Sequence, residues 1–327
     1  MNLEFPSWER EKWRDLADNP VIAPQEGTWP GAVIGDPQVV LPGEFDDQWH
    51  LFCHRGHLYH FVSENGIQWR LAYDYADWGI GPVSLTADGR QWILYCTQYS
   101  QEVFINVRTS EDLVHWSEPV PVLTPESDWE REGNPIQVRN PSAALLPDGR
   151  WRLYYCGGTV WLADCGYEEP KHIGLAESDG ALGPFRKRPR PILSPDAAHW
   201  YRSFGTGGAK IFGYGEAFLV LINGLYLDGE GRSRSAISVL MSADGITWQD
   251  APYNPIILPS GDGWKKAIVY QLDLRYFEGK LWLYYNARDG WKEGREWIGC
   301  SVLDWSGPEP RKLWRLPPRR PGRAASR

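Results

Sequence analysis

The chain has 327 residues, long enough for two average domains but equally for one large all-β unit, so length alone decides nothing. Nineteen Trp, sixteen Tyr and ten Phe, with 34 Gly and 26 Pro, describe many short aromatic strands joined by tight turns and exclude a mainly helical protein. A formal charge of −8 excludes nucleic acid as the main partner, because phosphate binding needs a basic face.

Near the start, Pro6 to Asp18 has the pattern of a short amphipathic helix, within an N-terminal extension reaching residue 28. The segment has no basic run followed by an apolar one, and no apolar run of about 18 residues occurs later. These features predict a soluble, cytoplasmic protein with no membrane partner. Five cysteines without zinc-like spacing fit reduced thiols in the same compartment.

From residue 35 onward a strand type recurs five times: Trp49-His-Leu-Phe-Cys-His54, Trp92-Ile-Leu-Tyr-Cys-Thr97, Trp151-Arg-Leu-Tyr-Tyr-Cys156, Phe218-Leu-Val-Leu-Ile-Asn223 and Leu281-Trp-Leu-Tyr-Tyr-Asn286. Turn signals such as Asp88-Gly89, Asp148-Gly149 and Glu278-Gly279 precede them, so each reads as the second strand of a hairpin. A second series follows in step, at Ser63, Ser110, Ser178, Ser242 and Ser301, each a polar turn that leads to an aromatic: Trp69, Trp116, Phe185, Trp248 and Trp305. Such a turn suits the passage from third to outermost strand of a four-stranded blade, with the ring packed between blades. Intervals of 47 to 68 residues between these serines exceed a compact blade, and the surplus is expected in loops. Two interleaved five-fold series predict an all-β fold, a single five-bladed β-propeller of four-stranded antiparallel blades over residues 1–316. A β-sandwich with coincidental turns is the alternative. The basic, Pro-rich tail 317–327 is expected to be disordered.

The first strand of each blade lines a propeller's channel, and its early residues reach the mouth. Those predicted strands begin at Gly35-Asp36-Pro37, Gly81-Pro82, Arg139-Asn140-Pro141-Ser142, Thr206-Gly207-Gly208 and Tyr270-Gln271-Leu272-Asp273. With the repeats, they carry a resemblance to the five-bladed propeller glycosidases of glycoside hydrolase family 43 and its relatives in families 32, 117 and 130. The resemblance implies hydrolysis by a carboxylate pair, in which an Asp-Pro on the first blade is the base, an Asp-Pro-Ser orients, and a later Glu-Gly-Pro supplies the acid. Asp36-Pro37 matches the first. The second has Asn140 in place of Asp, and no Glu stands at Thr206-Gly207-Gly208.

The proton donor is therefore expected to be atypical: His54, Asp273, or Glu132 in the loop before the third blade. Family 117 relatives recruit a histidine, which favours His54. Arg55, Arg139, Arg202 and Arg288, with Lys210, stand near strand ends; should they converge, the substrate would be anionic. Trp29, Trp78 and Trp200 precede channel strands and offer stacking surfaces, and Thr206 and Gln271 complete the expected substrate-binding set with Trp29, Arg139, Asn140, Arg202 and Arg288. His54, His57 and His60 have no metal-site spacing on a strand, so neither a metal nor another cofactor is expected.

The reading that follows is a glycoside hydrolase-like enzyme acting on a small glycoside, with Asp36 as base or cation stabiliser. The alternatives are a propeller redirected to cyclisation or elimination in specialised metabolism, and a non-catalytic sugar binder. The sequence leaves oligomeric state open.

Overall fold

The computed structural model describes residues 3–24 and 33–318. The expected Trp29 and most of the tail 317–327 lie outside the described residues. Strand β1 (Arg14–Asp15) comes first, followed by four self-contained antiparallel sheets. Blade 1 is β2 (Gly35–Val40), β3 (Trp49–His54), β4 (Leu58–Ser63) and β5 (Arg70–Tyr75). Blade 2 is β6 (Ile80–Ala87), β7 (Trp92–Gln98), β8 (Phe104–Ser110) and β9 (Val120–Leu123). Blade 3 is β10 (Val138–Leu145), β11 (Trp151–Leu162), β12 (Tyr167–Ser178) and β13 (Arg186–Lys187), and blade 4 is β14 (Ala209–Tyr214), β15 (Ala217–Leu227), β16 (Ser233–Ser242) and β17 (Gln249–Asp250). The fifth combines β18 (Ile268–Phe277), β19 (Lys280–Arg288) and β20 (Glu296–Asp304) with β1 as its outer strand. The two ends of the chain thus share a sheet, which closes the ring and removes an open edge.

That closure explains two departures from the sequence expectations. Over Pro6–Asp18 the chain makes one 3-10 turn, Arg10–Lys12, and then enters β1 instead of forming an amphipathic helix. Burial of Trp8 and Trp13 edge to face, and pairing of Asp15 with Ser301, outweigh helix propensity there. The other departure is Ser301. The serines of blades 1 to 4 end their third strands, and their hydroxyls accept a backbone N–H of the following turn, as Ser63 does from Gly66 at 3.0 Å and Ser242 from Gly245 at 2.8 Å. Ser301 lies inside β20 and donates to Asp15 at 2.7 Å, because its neighbouring strand arrives from the N-terminus and no turn is required.

The aromatic after each turn packs on the preceding blade. Trp116 meets Phe52, Phe185 meets Tyr95, Trp248 meets Tyr154 and Trp69 meets Tyr284, all edge to face. Where the partner is tyrosine its hydroxyl donates to a turn carbonyl: Tyr95 to Ala181, Tyr154 to Gly245 and Tyr284 to Gly66. The sequence repeat is in effect the inter-blade seam. The surplus residues of blades 3 to 5 lie partly in loops and partly in lengthened hairpins, since β11 and β12 each run 12 residues against six in β3 and β4. Asp164 at the tip of one lengthened hairpin accepts the Ser233 N–H of the next at 2.8 Å. The result is a high, tied wall on one side of the channel mouth.

At the opposite end two lysines and the C-terminal segment lie across the channel. Lys210 donates to the carbonyls of Val83 and Pro141 at 2.9 and 3.2 Å, bridging three blades through the axis. Below it the C-terminal segment crosses the ring: Gly213 donates to Arg311, Leu145 to Leu313, and Arg315 to Ala87. From that strap Lys312 reaches up to Asp273, Nζ to Oδ1 2.5 Å.

Candidate active site

The site grows from an irregularity shared by the channel strands. In β2, β6, β10 and β18 the ladder to the second strand skips two residues, between Gly35 and Gln38, Ile80 and Val83, Arg139 and Ser142, and Val269 and Leu272. The skipped pairs are Asp36-Pro37, Gly81-Pro82, Asn140-Pro141 and Tyr270-Gln271. Proline is tolerated here because no ladder bond needs its missing N–H. Asp36 and Asn140 take left-handed backbone, φ 57° and 52°, which Asp and Asn visit more readily than other non-glycine residues. Their N–H groups donate to Asn286 Oδ1 and Thr97 Oγ1, both at 3.1 Å, so each bulge is locked by a side chain from the neighbouring blade.

Blade 4 lacks a bulge and reaches the mouth through Gly207-Gly208. A Cβ on Gly208 would fall 1.1 Å from Gln271 Nε2. The glutamate that the resemblance expects near this point is absent, and the Gln271 carboxamide fills the space beside the strand start.

These strand starts surround a cavity of about 520 Å³. Asp36 is 6% exposed; one carboxylate oxygen lies 2.6 Å from His54 Nε2 and the other, Oδ1, has no partner among the described residues. Asn140 Oδ1 and Gln271 Oε1 are likewise buried without partners. Two glutamates that sequence reading did not single out also line the cavity. Glu169, on β12, has its carboxyl pushed up to about 7 by burial, with Arg139 opposing and the charges of Glu168 and Asp36 adding. Its Oε2 lies 3.4 Å from Arg139 Nη2. Glu296, on β20, is pushed up to about 8, again chiefly by burial, with Arg288 opposing and Asp36 adding. Asn286 Nδ2 donates to Glu296 while its oxygen holds the Asp36 N–H, so that one amide spans both acids. The negative charge of Asp36 thus acts on both glutamates.

Three tyrosines complete the lining. Tyr99 lies across Gly81, where a Cβ would sit 2.5 Å from its hydroxyl, and Tyr167 and Tyr270 share a hydrogen bond between their hydroxyls.

Of the residues expected from sequence, Asp36, His54, Arg139, Asn140, Gln271 and Arg288 line the cavity together. His54 stands beside Asp36 on the same blade and is its hydrogen-bonding neighbour, not a group facing it across the cavity. Asp273 is fully buried below the mouth, bound to Lys312 and accepting the Val39 N–H at 2.7 Å; it follows the irregularity between Val269 and Leu272 and does not line the cavity. Arg202 pairs with Asp250 at 3.0 Å on the flank of blade 4, and Thr206 donates to the Lys171 carbonyl; neither lines the cavity. Glu132 is held by Lys171 and by His172 at 3.1 Å, also off the wall. The arginines do not converge: Arg139 and Arg288 line the cavity while Arg55 and Arg202 do not. His57 turns to Asp74 at 2.8 Å and His60 to His50 at 2.8 Å, so the three histidines diverge.

No protein-family model matches the chain, and no curated protein matches it significantly. Solved structures do. A glycosyl hydrolase from Bacteroides ovatus superposes with a TM-score of 0.63 at 16% identity, covering 96% of this chain and 99% of the other. A structure from work on the family 130 mannoside phosphorylases, and on the glycoside hydrolases among them that target β-1,2-mannosidic linkages in Candida mannan, gives 0.64 at 16% identity, with 94% and 98% covered. The fold is that of the propeller glycoside hydrolases. An N-acetylgalactosamine deacetylase from F. plautii superposes as well, with a TM-score of 0.66 at 11% identity over 89% and 95% of the two chains. One scaffold therefore carries more than one chemistry, and the residues at the mouth must decide the function.

Proposed function

We propose that the chain hydrolyses a small glycoside in the central cavity, with Asp36 as the base and Glu169 as the proton donor. The observation that carries this reading is the pairing of unlike carboxyls. Asp36 keeps one buried oxygen without a partner among the described residues, while burial, with the charges of Glu168 and Asp36 adding and Arg139 opposing, pushes the Glu169 carboxyl up to about 7. Divergent environments of this kind are how two carboxyl groups divide acid and base roles.

In the proposed reaction, water attacks the anomeric carbon and yields its proton to Asp36. The glycosidic C–O bond breaks, and the leaving oxygen takes the Glu169 proton. Asn140 and Gln271 supply acceptors for sugar hydroxyls, and His54 orients Asp36. Glu169 replaces His54 and Asp273 as the donor because burial raises its carboxyl to about 7, into the range where a carboxyl can act as an acid, and because it lines the cavity from the long blade 3 hairpin.

The test is release of aglycone from a panel of aryl glycosides covering furanosides and pyranosides. Asp36→Asn is expected to lower kcat by about 10³-fold or more, a loss near 4 kcal/mol of transition-state stabilisation. Glu169→Gln should slow substrates with poor leaving groups by about 10²–10⁴-fold while scarcely affecting dinitrophenyl glycosides, which leave without a proton. Full turnover by Asp36→Asn would reject the reading.

A further inference from the structure

The carboxylate of Asp36 is held at two points, by His54 at one of its oxygens and by Asn286 through its own backbone. Asn286 Oδ1 accepts the Asp36 N–H at 3.1 Å and so secures the left-handed φ of 57°. At the matching bulge of blade 3 the Thr97 hydroxyl does this, and its oxygen is an acceptor however its proton turns. A carboxamide differs. It has an acceptor end and a donor end, and turned over it would set Nδ2 against the Asp36 N–H, donor to donor. A further group must decide which end faces the bulge.

Glu296, a buried carboxyl with no part in the chemistry proposed above, is placed for that task. The β19–β20 register pairs Arg288 with Glu296 and Asn286 with Ile298, so Asn286 and Glu296 are diagonal neighbours on one face of the hairpin. Glu296 Oε1 accepts Asn286 Nδ2; Glu296 is 7% exposed and Asn286 2%. Gly35, the residue before Asp36, lies directly against the pair. A Cβ there would fall 2.7 Å from Asn286 Nδ2 and 2.9 Å from Glu296 Oε1. Carboxyl, carboxamide and bulge form one packed unit.

We infer that Glu296 is a positioning residue for the base: it fixes the orientation of the Asn286 carboxamide, which pins the Asp36 backbone and aims its carboxylate into the mouth. The role of Asp36 in this inference rests on the glycosidase reading above. What the unit needs from Glu296 is an acceptor and not a charge. A carboxyl offers a carbonyl oxygen with or without its proton, and so does a glutamine side chain. Loss of positioning slows the chemical step, whereas loss of a sugar contact weakens binding.

Two measurements on the whole protein test this: steady-state kinetics on the aryl glycoside that the parent turns over best, and hydrogen exchange of the Asp36 amide, followed by NMR with nitrogen-labelled aspartate. Glu296→Met should lower kcat by about 10–100-fold with KM held within about twofold. Exchange at Asp36 should quicken by about tenfold or more. Glu296→Gln, which keeps an acceptor, should recover most of both losses. Should Glu296→Met fail to fold, Gly35→Ala, whose methyl group parts Asn286 from Glu296, is expected to give the same two effects. Parent-like kcat and exchange in Glu296→Met overturn the inference. So does a loss that falls on KM, which would make Glu296 a sugar contact, or a Glu296→Gln no better than Glu296→Met, which would make its charge the requirement. Absence of turnover by the parent on every aryl glycoside overturns the glycosidase reading instead. The exchange comparison then decides alone: a tenfold gap between Glu296→Met and Glu296→Gln upholds the pinning of Asp36, and equal exchange overturns it.

Discussion

Asp36 owes its position to a backbone that few residues accept. Its left-handed φ and the following proline together make the bulge that lifts the carboxylate out of the ladder and into the mouth. The same φ in Asn140 places an amide at the equivalent point of blade 3. Glu169 reaches the cavity by another route, from a third strand lengthened beyond the blade. Because it donates only while protonated, kcat/KM should fall about tenfold per unit above about pH 7, and at low pH it should fall again as the base Asp36 takes up a proton. A pH-rate profile of Glu169→Gln should lack that alkaline limb; its persistence would assign the limb to another group. Asp36, His54, Asn140 and Gln271 were legible in the sequence because Asp-Pro, Asn-Pro and the strand ends carry local signals. Glu168-Glu169-Pro170 has none: its place depends on hairpin length, and its proton on burial, neither of which is encoded within a few residues. Asp273 misled because strand position was legible but facing was not, once the bulge shifted the alternation of β18 by one residue more than a regular count assumes.

At the scale of elements, the seam between blades combines a ring contact with a buried hydrogen bond. Tyr154 donates to Gly245 at 2.9 Å, and Gly245 has φ 71° with no room for a Cβ, which would sit 2.7 Å from the Tyr154 hydroxyl. Tyr154→Phe should cost about 1 kcal/mol, and Gly245→Ala more, through strain and overlap together. Thermal denaturation should show the two losses failing to add in the double variant, because both act on one contact. Additive losses would mean that the seam is not a unit. These seams were the most readable part of the chain, since a polar turn followed by an aromatic repeats in sequence and in space. The one break in the series, Ser301, lies where the chain's other end enters the sheet, a pairing across 286 residues that no local pattern announces.

For the molecule as a whole, closure depends on both termini. β1 completes blade 5, and the strap from Arg311 to Arg315 fastens blades 4, 3 and 2 beneath the channel. Lys312 is the strap's contact with the axis, and Asp273, fully buried, has no other cation bonded to it among the described residues. Lys312→Met should therefore destabilise the fold by about 3–5 kcal/mol by leaving a charge buried and unpaired, and Asp273→Asn in the same chain should recover much of that loss. Chemical denaturation of the single and double variants measures both; equal stability of Lys312→Met and the parent would show that the strap is not anchored there.

Lys210 and Lys312 lie across the far end, and the cavity is lined by residues at the mouth. Under the proposed hydrolysis a released sugar would have to back out along the path by which its parent came in, before another could follow. Such a vessel would act on one small glycoside per visit, could not thread a polymer through itself, and would be inhibited by its own product in direct competition with the substrate.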